Sequence, residues 1–86
     1  MYMKIIQLEY FLAIVKYNNF TQAAQFLHIS QPSLTATIKK MEADLGYDLF
    51  TRTTKDIKIT EKGIQFYNYA VDLVQNYHQT MEKMHD

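Results

Sequence analysis

The chain has 86 residues, of which 48% are apolar and 21% charged, so it should form one small folded domain rather than stay disordered. It has no cysteine, which excludes a disulfide framework and a thiolate metal site. No apolar run approaches the roughly 18 residues of a membrane span, and the N-terminus has no signal-peptide pattern, so we expect a cytoplasmic protein. The formal net charge of zero weighs against nucleic-acid binding, because nucleic-acid-binding domains are usually basic.

The first predicted element is a helix over residues 5–18. Apolar residues recur there at helical spacing, namely Ile5, Leu8, Phe11, Leu12 and Val15. A stripe of this kind is typical of a helix that packs on a core, and we assign this helix a scaffolding role.

Residues 19–45 predict two short helices joined by a tight turn at His28 and Ile29. Asn19 can cap the first helix, and Ser30 can cap the second, with Pro32 in its first turn. The residues expected to be buried are Phe20, Ala23, Ala24 and Leu27 on the first helix and Leu34, Ile38, Met41 and Leu45 on the second. This pattern is typical of a helix-turn-helix, whose second helix can lie in the DNA major groove.

The outward positions of the second helix carry short polar side chains. They are Gln31, Ser33, Thr35 and Thr37, followed by Lys39 and Lys40. Such groups can exchange hydrogen bonds with base edges and phosphates. The alternative is that they form the solvated face of an ordinary surface helix.

Residues 46–60 change to a strand-like period, and residues 49–52 can pair with residues 57–60 as a two-stranded wing. Leu49 and Phe50 are expected to anchor this hairpin to the core, because an isolated hairpin is marginally stable. Its basic residues are Arg52, Lys55 and Lys58. An arginine on a wing can enter a narrow minor groove or hold a phosphate; the alternative is a solvated basic hairpin.

A long helix is predicted over residues 61–86, capped by Thr60. It would be about 39 Å long, too long to pack fully on so small a domain. Its apolar residues form two lines, one of Ile64, Tyr67, Val71, Val74 and Met81 and the other of Phe66, Ala70, Leu73, Tyr77 and Met84. We expect one line to pack on the body and the other to bind a partner, the simplest being a second copy.

The sequence contains no glycine-rich phosphate loop, nucleophile elbow or HExxH motif. His78 and His85 lie two helical turns apart, too far to share a metal within one chain. We therefore predict no catalytic residue, metal or cofactor, and we assign the tyrosines to the core and the dimer interface.

Three segments, NFTQAAQFLHISQPSLT, EADLGYDLFTRT and ITEKG, occur in an order and spacing that resemble the DNA-binding domain of LysR-type bacterial transcription regulators. The resemblance covers nearly the whole chain. It implies a winged helix-turn-helix, a long linker helix that dimerises, and an effector-binding domain that is absent from these 86 residues. A small-molecule effector would act only through that further domain, and an intact regulator could form higher oligomers.

The chain departs from the family pattern at several positions. Family members commonly carry arginine where this chain has Ala36, glutamine where it has Thr37, and serine where it has Thr35. A Gly-Ser pair often stands where this chain has Asn18 and Asn19. The missing arginine puts one basic contact to DNA in question.

Taken with the resemblance, these features predict a mainly α winged helix-turn-helix in residues 1–60 and a linker and dimerisation helix in residues 61–86. The expected function is sequence-specific binding to double-stranded DNA, as a homodimer on a palindromic promoter site. An alternative is a helical protein-interaction or dimerisation module without DNA binding, which the zero net charge favours. A third reading is a complete small regulator without an effector domain.

The candidate site residues fall into three sets. The predicted base contacts are Gln31, Pro32, Ser33 and Thr35. The predicted backbone or minor-groove contacts are Asn18, Asn19, Thr21, Thr37, Lys39, Lys40, Arg52, Lys55 and Lys58. The predicted dimerisation residues are Ile64, Phe66, Tyr67, Val71, Leu73, Val74, Tyr77 and Met81.

Overall fold

The computed structural model describes residues 3–53 and 56–85. Its elements are α1 (Ile5–Tyr17), α2 (Phe20–Leu27), α3 (Gln31–Leu45), β1 (Phe50–Arg52), β2 (Ile57–Ile59) and α4 (Glu61–His85). The predicted mainly α winged helix-turn-helix with a long C-terminal helix is confirmed.

The ends of the helices are fixed by capping hydrogen bonds and by residues in the left-handed conformation. The Asn19 side-chain oxygen accepts the Gln22 amide at 2.8 Å, and the Ser30 hydroxyl accepts the Ser33 amide at 3.2 Å, which confirms both predicted caps. α3 ends at Gly46, whose φ of 82° is readily adopted only by glycine. α1 ends one residue earlier than predicted, because Asn18 adopts a left-handed conformation with φ of 49°.

The core is centred on Phe11, whose ring lies 5.5 Å from that of Phe50 and 5.1 Å from that of Phe66. These contacts join α1 to β1 and α4. Ala13 and Ile14 are buried as well, whereas the predicted α1 stripe included neither. The reason is that α1 contacts α2, α3 and α4, so more than one of its faces is covered.

The wing is an antiparallel pair in which Phe50 lies opposite Ile59 and Arg52 opposite Ile57. Leu49 and Phe50 are buried, which confirms that they anchor the hairpin. Glu42 of α3 fixes the start of β1, because one of its carboxylate oxygens accepts the amides of Leu49 at 2.7 Å and Phe50 at 3.3 Å.

The division of α4 into one packing line and one partner line was wrong. The face that packs on the body draws on both lines, with Gly63, Ala70 and Val74 buried and Phe66 and Tyr67 partly buried against the core. Val74 is the last buried residue of α4, and every residue of 75–85 is exposed. One contact with the body lies beyond it, between the His78 ring and the Glu9 carboxylate of α1 at 3.1 Å. A single broad apolar face therefore begins on the body and continues beyond it.

In the described part of the chain, no helix combines the length and apolar character needed to cross a bilayer.

Candidate nucleic-acid interface

The starts of α2 and α3 meet the wing at one crevice, which we call the α3–wing crevice. Its lining residues are Asn18, Asn19, Phe20, Thr21, Gln31, Thr35, Arg52, Thr53, Asp56 and Ile57. Six candidate DNA-contact residues from three separate stretches of sequence are therefore brought together. They are Asn18, Asn19, Thr21, Gln31, Thr35 and Arg52.

The first turn of α3 presents the predicted base-contact residues at the surface. Gln31, Pro32 and Ser33 are exposed, and Thr35 is half-buried. Gln31 and Thr35 lie one helical turn apart and line the same side of α3. The residues of α3 that are buried in the core are Leu34, Ile38 and Met41, so this polar edge is not part of the core.

Arg52 is held in place on the wall of the crevice. Its guanidinium lies 4.5 Å from the centre of the Phe20 ring, and Nη2 lies 4.0 Å from the Glu42 carboxylate. The side chain is 29% exposed, so the cation is restrained but still reaches solvent. A guanidinium positioned in this way loses less conformational freedom when it binds a phosphate.

Four of the remaining backbone candidates, Thr37, Lys39, Lys40 and Lys58, do not line the crevice. The Thr37 hydroxyl donates to the Ser33 carbonyl at 3.0 Å, and Lys40 pairs with Asp44 at 3.5 Å. Lys39 is exposed on α3, and Lys58 is exposed on β2. Lys55 falls outside the described residues.

The positions of the acidic side chains weaken the argument against DNA binding that rests on the zero net charge. Glu42 turns inward, where its side chain is 12% exposed and binds the amides of Leu49 and Phe50. Asp56 does line the crevice, and its carboxylate accepts the Ile57 amide at 3.0 Å. Glu42 still lies 4.0 Å from Arg52, but its carboxylate is shared with two backbone amides, and Asp56 is the acidic residue among the described lining residues of the crevice.

Sequence reasoning missed the roles of Phe20 and Glu42. The sequence places Phe20 only in the core and gives no role for Glu42. Both position Arg52, and Glu42 also fixes the wing. No local pattern carries this information, because Glu42, Arg52 and Phe20 belong to three different elements.

Comparison with known proteins identifies the family of the chain. The family model described as bacterial regulatory helix-turn-helix protein, lysR family, matches residues 5–64. This match confirms the family resemblance drawn from the sequence.

Two relatives are transcriptional regulators by name. The chain is 40% identical over 77 residues to the HTH-type transcriptional regulator BenM of Acinetobacter baylyi, covering 90% of this chain and 25% of BenM. It is 38% identical over 81 residues to the HTH-type transcriptional regulator BudR of Klebsiella aerogenes, covering 94% of this chain and 57% of BudR. The chain therefore spans about a quarter of one relative and little more than half of the other.

A solved structure shares the fold. The DNA-binding domain of BenM in complex with catB site 1 DNA superposes with a TM-score of 0.91 at 38% identity, over 95% of this chain and 92% of that one.

Proposed function

Because the chain belongs to the lysR family of bacterial regulatory helix-turn-helix proteins, we propose that it binds double-stranded DNA sequence-specifically, as a homodimer on a palindromic promoter site. The observation that carries the proposal is the α3–wing crevice, which brings polar side chains at the starts of α2 and α3 together with Arg52 of β1. The likeness to the BenM domain solved with DNA supports it. We place this activity in the bacterial cytoplasm.

In the proposed complex, α3 enters the major groove. An α-helix with its side chains is about 10–12 Å wide and the groove about 12 Å, so the fit is close. The exposed first turn then meets base edges through Gln31, Pro32, Ser33 and Thr35. The Gln31 carboxamide can donate and accept at once, which suits bidentate pairing with adenine.

Sugar–phosphate contacts would surround this first turn. Asn18, Asn19 and Thr21 line the same crevice as Gln31 and offer amide and hydroxyl donors. Arg52 would hold a phosphate or enter the minor groove, and we assign Thr37, Lys39, Lys40, Lys55 and Lys58 to the same class. The Thr37 hydroxyl would first have to leave the Ser33 carbonyl before it could donate to a phosphate.

We assign dimerisation to α4, with residues 1–60 as the DNA-binding unit and residues 61–86 as the linker helix. The support is the exposed continuation of its apolar face, where Leu73 is 55% and Met84 76% exposed. Ile64, Tyr77 and Met81 of the predicted set are also exposed, whereas Phe66, Tyr67, Val71 and Val74 are already partly or fully covered by the body of the same chain.

The replacement of Gln31 by alanine tests this proposal. On a duplex selected by the chain from a random pool, Gln31→Ala should lose about 1–3 kcal/mol of discrimination against a scrambled duplex, because a bidentate base contact is removed. Its melting temperature should stay at the wild-type value, since Gln31 is exposed. Gln65→Ala, at an exposed position on α4, is the matched control. Equal losses on both duplexes would show that Gln31 reads no base, and absence of binding by the wild type would favour the protein-interaction alternative.

A further inference from the structure

A second cleft lies between the start of α1 and the outer side of α3, and we call it the α1–α3 cleft. Its lining residues are Lys4, Ile6, Gln7, Tyr10, Thr37 and Lys40. In the part of the chain that the structure describes, it shares no lining residue with the α3–wing crevice. Thr35 lines the crevice and Thr37 the cleft, and two residues correspond to about 200° around an α-helix. The two depressions therefore flank α3 on opposite sides.

A helix seated in the major groove has one sugar–phosphate backbone on each side. Because α3 nearly fills the width of the groove, both strands must pass close to its flanks. If one strand runs along the α3–wing crevice, the other has to run along the α1–α3 cleft.

The chemistry of the cleft suits a phosphate backbone. It has two lysines, and none of its described lining residues is acidic. The Lys4 amide donates to the Gln7 side-chain oxygen at 2.8 Å, which leaves the Gln7 side-chain nitrogen as the group that can donate to a phosphate. The cleft also lies at the positive end of the α1 dipole.

The Lys40–Asp44 pair does not block such a contact. The two charged groups are 3.5 Å apart, and the Lys40 side chain is 69% exposed. An ion pair this open to water contributes little, so Lys40 can turn to a phosphate at small cost.

We propose that the α1–α3 cleft binds the sugar–phosphate backbone of the strand opposite the one that contacts the α3–wing crevice, with Lys4 and Lys40 as its phosphate ligands. The inference rests on the proposed function and deepens it. It gives the start of α1, whose role was otherwise scaffolding, a direct part in DNA binding.

Salt titrations of the whole chain test the contact. On a random-sequence duplex of about 40 base pairs, Lys4→Gln should make the slope of log affinity against log salt shallower by about 0.9. The ratio of wild-type to variant affinity should then fall about 3.5-fold between about 50 and 200 mM KCl. Lys40→Gln should make the slope shallower by a similar amount, and the double variant should make it shallower by about 1.8.

Lys16→Gln is the matched control, because it removes the same charge from the other end of α1. The Lys16 ammonium lies 5.3 Å from the centre of the Phe26 ring and does not line the cleft. Its substitution should leave the slope at the wild-type value. Lys4 is exposed, so the melting temperature of Lys4→Gln should not change.

Phosphate-ethylation interference on a selected duplex assigns the strand. Phosphates whose interference is lost in Lys4→Gln should lie across the major groove from those lost in Thr21→Ala. The inference is overturned if, within one half-site, both sets lie on the same strand, or if Lys4→Gln and Lys16→Gln have the same slope. In either case the binding by the wild type and the Gln31→Ala result would still stand, whereas failure of the wild type to bind any duplex would remove the proposed function as well.

Discussion

Arg52 can change partners without leaving the partly buried Glu42 carboxylate unpaired. It approaches Glu42 at 4.0 Å, but that carboxylate is also bound by the Leu49 and Phe50 amides. When Arg52 turns to a phosphate, Glu42 therefore keeps two hydrogen bonds. The usual penalty for breaking a buried ion pair, about 3–5 kcal/mol, should not apply in full.

A single substitution at Ala36 can test whether α3 docks on DNA as proposed. It is exposed and lies off the buried stripe of Leu34, Ile38 and Met41. Ala36→Arg should tighten binding to every duplex and steepen the salt slope by about 0.9, because one more phosphate is neutralised. Tighter binding to some sequences only would mean that the arginine reads a guanine.

Asn76→Arg, at an exposed position on α4, adds the same charge far from α3 and controls for net charge. If affinity and slope for Ala36→Arg stay at wild-type values on every duplex, residue 36 does not face DNA and the proposed docking is wrong.

At the scale of elements, the sequence predicts the features that depend on interactions between residues close in the chain. It does not predict the features that depend on residues far apart in the chain. The caps at Asn19, Ser30, Gly46 and Thr60 depend on groups within four residues, so local patterns were sufficient to find them. The position of the Glu42 side chain depends on its hydrogen bonds with the start of the hairpin, which comes later in the chain. The packing face of α4 depends on where the body ends, near Val74, and no periodicity within the helix contains that information.

The joint between α4 and the wing depends on the lack of a side chain at Gly63. A Cβ atom there would clash with the Leu49 carbonyl oxygen and lie 2.8 Å from Ile59 Cγ1. Alanine is intrinsically the better helix former by about 0.8–1.0 kcal/mol, but overpacking typically costs about 1–3 kcal/mol. We therefore expect Gly63→Ala to lower the melting temperature.

Thermal unfolding followed by circular dichroism measures this, with Asn68→Ala at an exposed position of the same helix as the control. A melting temperature for Gly63→Ala at or above the wild-type value would show that the wing and α4 do not pack as described.

At the scale of the whole molecule, the net charge is zero but the roles of the charges differ. Glu42 is used inside the fold, while lysines and Arg52 border both flanks of α3. α4 leaves the body near Val74 with its apolar face still exposed. DNA contact is thus assigned to one end of the molecule and pairing with a second copy to the other.

The most direct test of dimeric, sequence-specific DNA binding is the selection of duplexes from a random pool by the chain itself. We expect enrichment of an inverted repeat whose half-sites lie about 10 base pairs apart, or a multiple of that, because a two-fold dimer presents two copies of α3. Leu73→Asp should abolish the repeat and leave single half-sites, since it places a charge on the exposed apolar face of α4. Gln65→Asp, which adds the same charge at an exposed polar position of α4, should retain the repeat. The account is contradicted if the pool selected by the wild type contains no enriched sequence, or if the enriched sequence lacks two-fold symmetry.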